Sequence, residues 1–262
     1  MHTPRYGSDL TDAQWEAIAP LFDHLRLRKH DPRVVLDALF YVVKGGNQWR
    51  QLPDSFPPWQ SVYYHFGRWT RTGLLDRVHG LLRRLTRLRA GRAPTPSAAV
   101  VDAQSVKTST QGGVRGFDGG KLVKGRKRHL LVDTLGLVWA VLVDSAGVND
   151  SQRAPHLLDR AQGRAPRLEV VYADSGYEAT PVGLVWRVFG WRFEVVHRRD
   201  RRNRGRGRRR GFALEPKRWI VERTFGWLEG YRRLSKDYER LCSTSEAMVL
   251  LAMSRLMLNR IR

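Results

Sequence analysis

The sequence predicts an α/β unit with a sheet of mixed strand direction, preceded by a small all-α region. Three observations carry this. Two short apolar runs, Ala98-Ala99-Val100-Val101-Asp102 and Leu168-Glu169-Val170-Val171-Tyr172-Ala173-Asp174, read as buried strands that each end on an acid. Between them lie a β-rich pair of runs joined by a tight turn and then a helical segment, and a helical crossover returns the chain parallel to where it began. Ahead of residue 90 the apolar residues recur instead at helical spacing.

In the front region, Thr11 and Gln14 form a capping box ahead of Trp15, Ile18, Leu21 and Phe22. A second helix starts near Pro32 and stops at Gly45-Gly46, and a Pro-containing turn leads to a third with Trp59, Val62, Tyr63, Phe66 and Trp69. The fourth, Leu74 to Leu88, has Val78, Leu81, Leu82 and Leu85 on its apolar face and Arg83, Arg84, Arg87 and Arg89 on its polar one. Short helices with basic faces suit a helix-turn-helix contact to a duplex groove; a bundle for packing or dimerisation is the alternative. The Pro-containing stretch 90–97 marks a linker.

With 47 Lys and Arg against 25 Asp and Glu, the 262-residue chain carries a formal charge of +22. Such a surplus repels itself and is neutralised on a phosphate backbone, so nucleic acid is the expected partner. Cys242 is the only cysteine, which excludes an internal disulfide and a Cys-held zinc. The N-terminal segment lacks the apolar core of a signal peptide, and the longest apolar region, Leu130 to Val143, is interrupted by Asp133 and too short to span a bilayer. The expected setting is therefore reducing, cytoplasmic and without a membrane.

Between Gln111 and Arg128 the sequence reads as a Gly- and Lys-rich loop, whose Lys121, Lys124, Arg126 and Lys127 are placed to lie on phosphates. His129 to Asp133 and Leu137 to Asp144 form a hairpin about Thr134-Leu135-Gly136, and Asp150-Ser151 caps the crossover helix. A last strand, Phe193 to His197, precedes 198–211, a basic loop in which nine of the thirteen residues 198–210 are Arg; Arg198, Arg199, Arg201 and Arg202 are expected on DNA. The helix opening at Arg218 buries Val221, Phe225 and Leu228 and sets Glu222 on the border of that stripe. Ser245 to Ile261 is a core helix.

Asp102 and Asp174, at the ends of neighbouring parallel strands, share one sheet edge, the edge where open α/β sheets keep their sites. Glu222 is the third acid. Converging carboxylates repel unless a hard cation lies between them, and magnesium, with manganese as a substitute, prefers such oxygens. Two ions about 3.5 to 4 Å apart serve phosphodiester chemistry, with Asp102 bridging both and Asp174 and Glu222 each holding one.

Four segments then match a known family. Val100-Val101-Asp102-Ala103-Gln104-Ser105-Val106-Lys107-Thr108, Lys124 to Thr134, Tyr172-Ala173-Asp174-Ser175-Gly176-Tyr177 and Arg218 to Leu228 with Arg232 to Glu239 resemble the DDE transposases of bacterial insertion sequences, of the insertion sequence five type. The resemblance covers nearly the whole chain. It implies a ribonuclease-H-like fold behind a helical DNA-binding domain, with Asp102, Asp174 and Glu222 as the catalytic and metal-holding acids. Related groups carry Tyr seven residues before the Glu, Arg four before it and Lys seven after it. Here those positions hold Glu215, Arg218 and Glu229, so Arg218 alone matches.

The resulting expectation is a helical DNA-end-binding region over 1–92, a linker over 93–97 and a ribonuclease-H-like catalytic domain over 98–262. The activity implied is recognition of terminal inverted repeats, metal-dependent cleavage of the element ends and joining of the 3′-hydroxyl to target DNA. Arg218, Arg223 and Arg232 complete the expected DNA contacts, in a homodimer or larger assembly on the bacterial nucleoid. A nuclease without strand transfer and a non-catalytic or domesticated DNA-binding regulator are the alternatives.

Overall fold

A computed structural model describes residues 4–23, 29–196 and 218–261. The α/β unit is built on strand β1 (Ala98–Lys107), whose register fixes everything near the two aspartates. One edge of β1 pairs antiparallel with β3 (Val123–Asp133), and the other pairs parallel with β5 (Val170–Asp174), which in turn pairs parallel with β6 (Arg192–Val196). The far edge of β3 is shared: β2 (Gly116–Asp118) takes its first residues and β4 (Val138–Ser145) the rest. Among the described residues this makes a six-stranded sheet, mixed as the sequence predicts, with order β2-β3-β1-β5-β6 and β4 on β3.

The period-two alternation of β1 and β3 sorts side chains onto two faces. Val100, Leu130 and Val132 enter one core, together with Ile220, Val221, Phe225 and Leu228 of α7 (Arg218–Glu229) and the apolar side of α8 (Cys242–Leu258). Ala99, Val101, Leu131, Val171 and Ala173 enter the other, with Leu157 and Leu158 of α5 (Asp150–Asp159) and Val185 of α6 (Val182–Phe189). Helix α6 escapes the sequence reading, and the residue capping α5 is Asn149, whose side chain accepts from the Ser151 amide, rather than Asp150.

The front helices α1 (Asp12–Glu16), α2 (Pro32–Gly45), α3 (Trp59–Arg71) and α4 (Leu74–Arg89) form where helical spacing places them. The Thr11–Gln14 capping box is present, and Gly46 ends α2 in the left-handed conformation that glycine alone adopts cheaply. Their apolar faces do not close on themselves. Leu36, Phe40, Phe66, Trp69 and Leu82 share a core with Met253 and Met257 of α8 and with the sheet. Polar contacts reinforce it: Gln14 donates to the Leu258 carbonyl at 3.1 Å, and Arg255 donates to Gln14 at 2.9 Å.

Two basic stretches differ from their sequence reading. Arg83 and Arg87, expected on the polar face of α4, are buried: Arg83 stacks 3.6 Å over the Trp139 ring and donates to the Val138 carbonyl, while Arg87 pairs with the fully buried Asp133. The supposed loop 111–128 is largely strands β2 and β3. Arg126 and Arg128 point to one face of β3, where they donate to the carbonyls of Val114, Leu234, Lys236, Glu239 and Arg240. Lys127 points to the other, donating to the Val148 carbonyl at 2.9 Å and pairing with Asp150 at 3.0 Å. A buried guanidinium without partners is costly, and these side chains offset much of that cost by donating to backbone carbonyls distant in the chain. The expectation that Arg126 and Lys127 reach phosphate is thereby corrected.

Candidate active site

The last paired residues of β1 and β5 are Val100 and Tyr172. Asp102 and Asp174 each lie two residues beyond that last pair, so their side chains emerge on the same sheet face and line one cleft. β6 continues the rim, with Val196 opposite Asp174. The resulting cleft is lined by Val100, Asp102, Tyr172, Asp174, Val196 and, from α7 above it, Val221. Asp102 accepts from the amide of Ala103 at 2.7 Å, and Asp174 from the amide of Gly176 at 3.0 Å, as the strand gives way to a 3-10 turn over Ser175–Tyr177. These short local bonds fix the carboxylates at the cleft mouth.

Glu222 follows Val221 on α7. A helix turns about 100° per residue, so the step from Val221 to Glu222 leads from the cleft to the exposed side. Two of the three acids thus share a cleft, and the third stands at its border on the helix covering it. Among the described residues no three His, Cys, Asp or Glu side chains draw close enough to hold an ion together.

Two further groups belong to this neighbourhood. Tyr177 is completely buried with its hydroxyl unpartnered, and its ionisation is pushed well above the usual range, first by burial and then by the fields of Asp102, Asp150 and Asp174. Asp150, at the start of α5, reaches the rim from the opposite sheet face: a Cβ placed on Gly176 would lie 3.1 Å from Asp174 Oδ1 and 4.0 Å from Asp150 Oδ2. Carboxylates from three elements therefore act on one small region, and the hard oxygen donors of Asp102 and Asp174 suit a divalent cation. Asp150 was visible in the sequence only as one acid among several; Tyr177 gave no signal beyond its place after Asp174. His129, behind Asp150 at 3.9 Å, is held down to about 4 by burial, which the Asp150 charge only partly offsets.

Apart from the buried Arg126 and Lys127, the expected DNA contacts divide into three groups. Lys124 and Arg232 are exposed, and so is Lys121, although its ammonium donates to the Ala103 carbonyl at 2.8 Å. Arg223 is half-buried, donating to the Leu135 carbonyl at 3.1 Å and lying over the rings of Trp219 and Trp227. Arg198, Arg199, Arg201 and Arg202 lie outside the described residues, as does the side chain of Arg218. Glu229, where related groups carry Lys, accepts from Gln104 of β1 at 2.9 Å.

A mixed sheet between helical layers, with Asp174 ending one strand, Asp102 midway along its parallel neighbour just past their last paired residues, and a glutamate on the covering helix, defines a ribonuclease-H-like fold of the DDE type. Comparison with known families agrees. Residues 93–257 match the family described as "Transposase DDE domain", and residues 10–79 match "Putative transposase of IS4/5 family". The chain belongs to the DDE transposase family. Among curated proteins it is 32% identical over 152 residues to "Putative transposase for insertion sequence element IS402" of Burkholderia cepacia, an alignment covering 53% of this chain and 65% of that one. It is also 33% identical over 79 residues to "Uncharacterized protein y4sN" of Sinorhizobium fredii, covering 29% of this chain and 63% of the relative. The chain thus spans less than two thirds of the length of each.

Proposed function

We propose that the protein is an insertion-sequence transposase that binds the terminal inverted repeats of its element, cleaves the ends by metal-dependent phosphodiester hydrolysis and joins the freed 3′-hydroxyl to target DNA. The observation that carries this reading is the register of β1 and β5, which sets Asp102 and Asp174 side by side in a cleft roofed by the helix bearing Glu222. Asp102 and Asp174 would hold the cation, with Glu222 completing the set from α7. Bound there, two magnesium ions, or manganese in their place, would activate the attacking water or hydroxyl and stabilise the leaving oxygen. The chain's own contribution is placement: amide bonds hold the aspartates, and Val100, Val196 and Val221 keep one wall of the cleft apolar.

In this reading residues 1–92 bind the DNA ends, 93–97 link, and 98–262 catalyse, with synapsis of two ends requiring a homodimer or larger assembly on the nucleoid. Among the described residues no helix is long and apolar enough to cross a membrane. The test uses Asp102→Asn, Asp174→Asn and Glu222→Gln on an end-bearing duplex with magnesium. Cleavage should fall by at least about a hundredfold in each while duplex binding persists. Magnesium should also raise the Tm of the unsubstituted protein more than that of Asp102→Asn. Cleavage retained in all three variants overturns the assignment.

A further inference from the structure

A second cleft opens where the end of α4, the β3–β4 turn, α7 and the residues after α8 meet. Arg89, Leu135, Arg223, Trp227 and Arg260 line it, and among the described residues no carboxylate does. Its floor is rigid. Gly136, at φ +80°, lets the turn approach so closely that a Cβ there would lie 2.9 Å from the Trp227 ring and 2.8 Å from the Thr224 hydroxyl. Two guanidiniums stack on the indole fixed in this way, Arg260 at 4.2 Å and Arg223 at 4.7 Å from its centroid. Arg89 is held at the mouth by a 2.9 Å bond to the Ile261 carbonyl.

Three cations therefore meet in a cleft that no described carboxylate lines. The acid closest in charge influence, Asp133, is already spent on Arg87, the amides of Leu135 and Leu137, and the Trp139 indole. Burial lowers the ionisation of both Arg223 and Arg260, and Arg223 depresses Arg260 further, the mark of like charges held together. The Nε of Arg223 is buried and makes no hydrogen bond. Arg126 and Arg233, by contrast, have all or nearly all their donors taken by carbonyls and carboxylates. Three guanidiniums gathered about a flat indole match a phosphodiester followed by a nucleoside.

We propose that this cleft is a DNA-strand subsite, in which Arg89, Arg223 and Arg260 take a backbone phosphate and the Trp227 edge meets the adjoining nucleoside. The proposal rests on the reading that the protein acts on DNA. It adds a contact on the side of α7 away from Val221, so the strand would be gripped on two sides of the helix that bears Glu222.

The experiment measures binding of a fluorescent duplex of mixed sequence to the full chain across a salt series, for the unsubstituted protein, Arg89→Gln/Arg260→Gln and Arg89→Lys/Arg260→Lys. Both positions are exposed, and an unchanged thermal unfolding midpoint of the Gln pair is required before its binding is read. The Gln pair should bind about tenfold or more weakly at physiological salt and lose up to about two from the salt slope, which the Lys pair restores. Affinity and slope within about twofold of the unsubstituted protein in the Gln pair overturn the subsite while leaving the transposase reading intact. Failure of the unsubstituted chain to bind duplex overturns both. If inorganic phosphate competes as well as duplex does and the Gln pair abolishes that competition, the cleft is a small-anion site and the DNA assignment falls.

Discussion

Strand β3 and the cleft beside α7 hold the same side chain to opposite ends. On β3, Arg126 is wholly buried, and its guanidinium is shared among the Val114, Glu239 and Arg240 carbonyls and Asp237. In the cleft, Arg223 and Arg260 both stack on one indole, their like charges opposing each other. The first arrangement is complete within the protein; the second is complete only with an anion. A net charge of +22 therefore overstates the surface available to DNA, because part of it is spent holding the segment 234–240 against the sheet.

The sharpest way to break this comparison is Arg126→Gln. Removing a buried, paired guanidinium strands three carbonyls and weakens the hold on Asp237, so denaturant unfolding should report a loss of about 3 to 5 kcal/mol. Duplex affinity per folded molecule should not move. The cleft pair Arg89→Gln/Arg260→Gln should do the reverse, and an Arg126 variant that stays stable while losing DNA would reverse the roles assigned here.

The face of β3 opposite Arg126 supplies the next test. His129 titrates near 4 in the fold against 6.5 unfolded, so the unfolded chain takes up the proton first as pH falls. Its contribution is fully present above pH 6.5 and is lost progressively down to about 4, in total about 3 kcal/mol. Asp37, raised to about 7 by burial, acts with the opposite sign, and the buried His79 with the same one. The comparison to make is thus the pH dependence of the unsubstituted protein minus that of His129→Leu. A difference flat between pH 6.5 and 4 would mean that His129 is not buried in the neutral form.

The smallest effect is expected at Tyr177. Its hydroxyl is buried without a partner, so Tyr177→Phe should leave stability unchanged or raise it by up to about 1 kcal/mol. Cleavage should persist, since a phenol held neutral beside three carboxylates has no proton to give near neutral pH. Loss of cleavage in a well-folded Tyr177→Phe would make that hydroxyl part of the chemistry.

Much of this molecule was legible before any coordinates. Helical spacing gave α2, α3 and α4 nearly to the residue, and two apolar runs gave β5 and the first half of β1 with their parallel pairing, although β1 runs on past Asp102 to Lys107, where it pairs with β3. The sequence reading went astray where composition stood in for position. Lys124-Gly125-Arg126-Lys127-Arg128 has the make-up of a solvated loop, yet it forms a central strand because the 234–240 segment offers carbonyls on one side and Asp150 offers a charge on the other. Arg83 and Arg87 looked like a polar face for the same reason.

The helices of the front region, their apolar faces and the parallel pairing of the two acid-bearing strands follow from the sequence alone, because each depends on spacing along a few turns or on the direction a crossover imposes. Which charges are spent inside and which face outward was decided only by tertiary structure. That outcome depends on whether a carbonyl or carboxylate distant in the chain arrives within hydrogen-bond reach, as Asp237 does for Arg126 and as no described acid does for Arg260. A buried guanidinium is tolerated only when such partners come to it, and their arrival is a property of the packed whole.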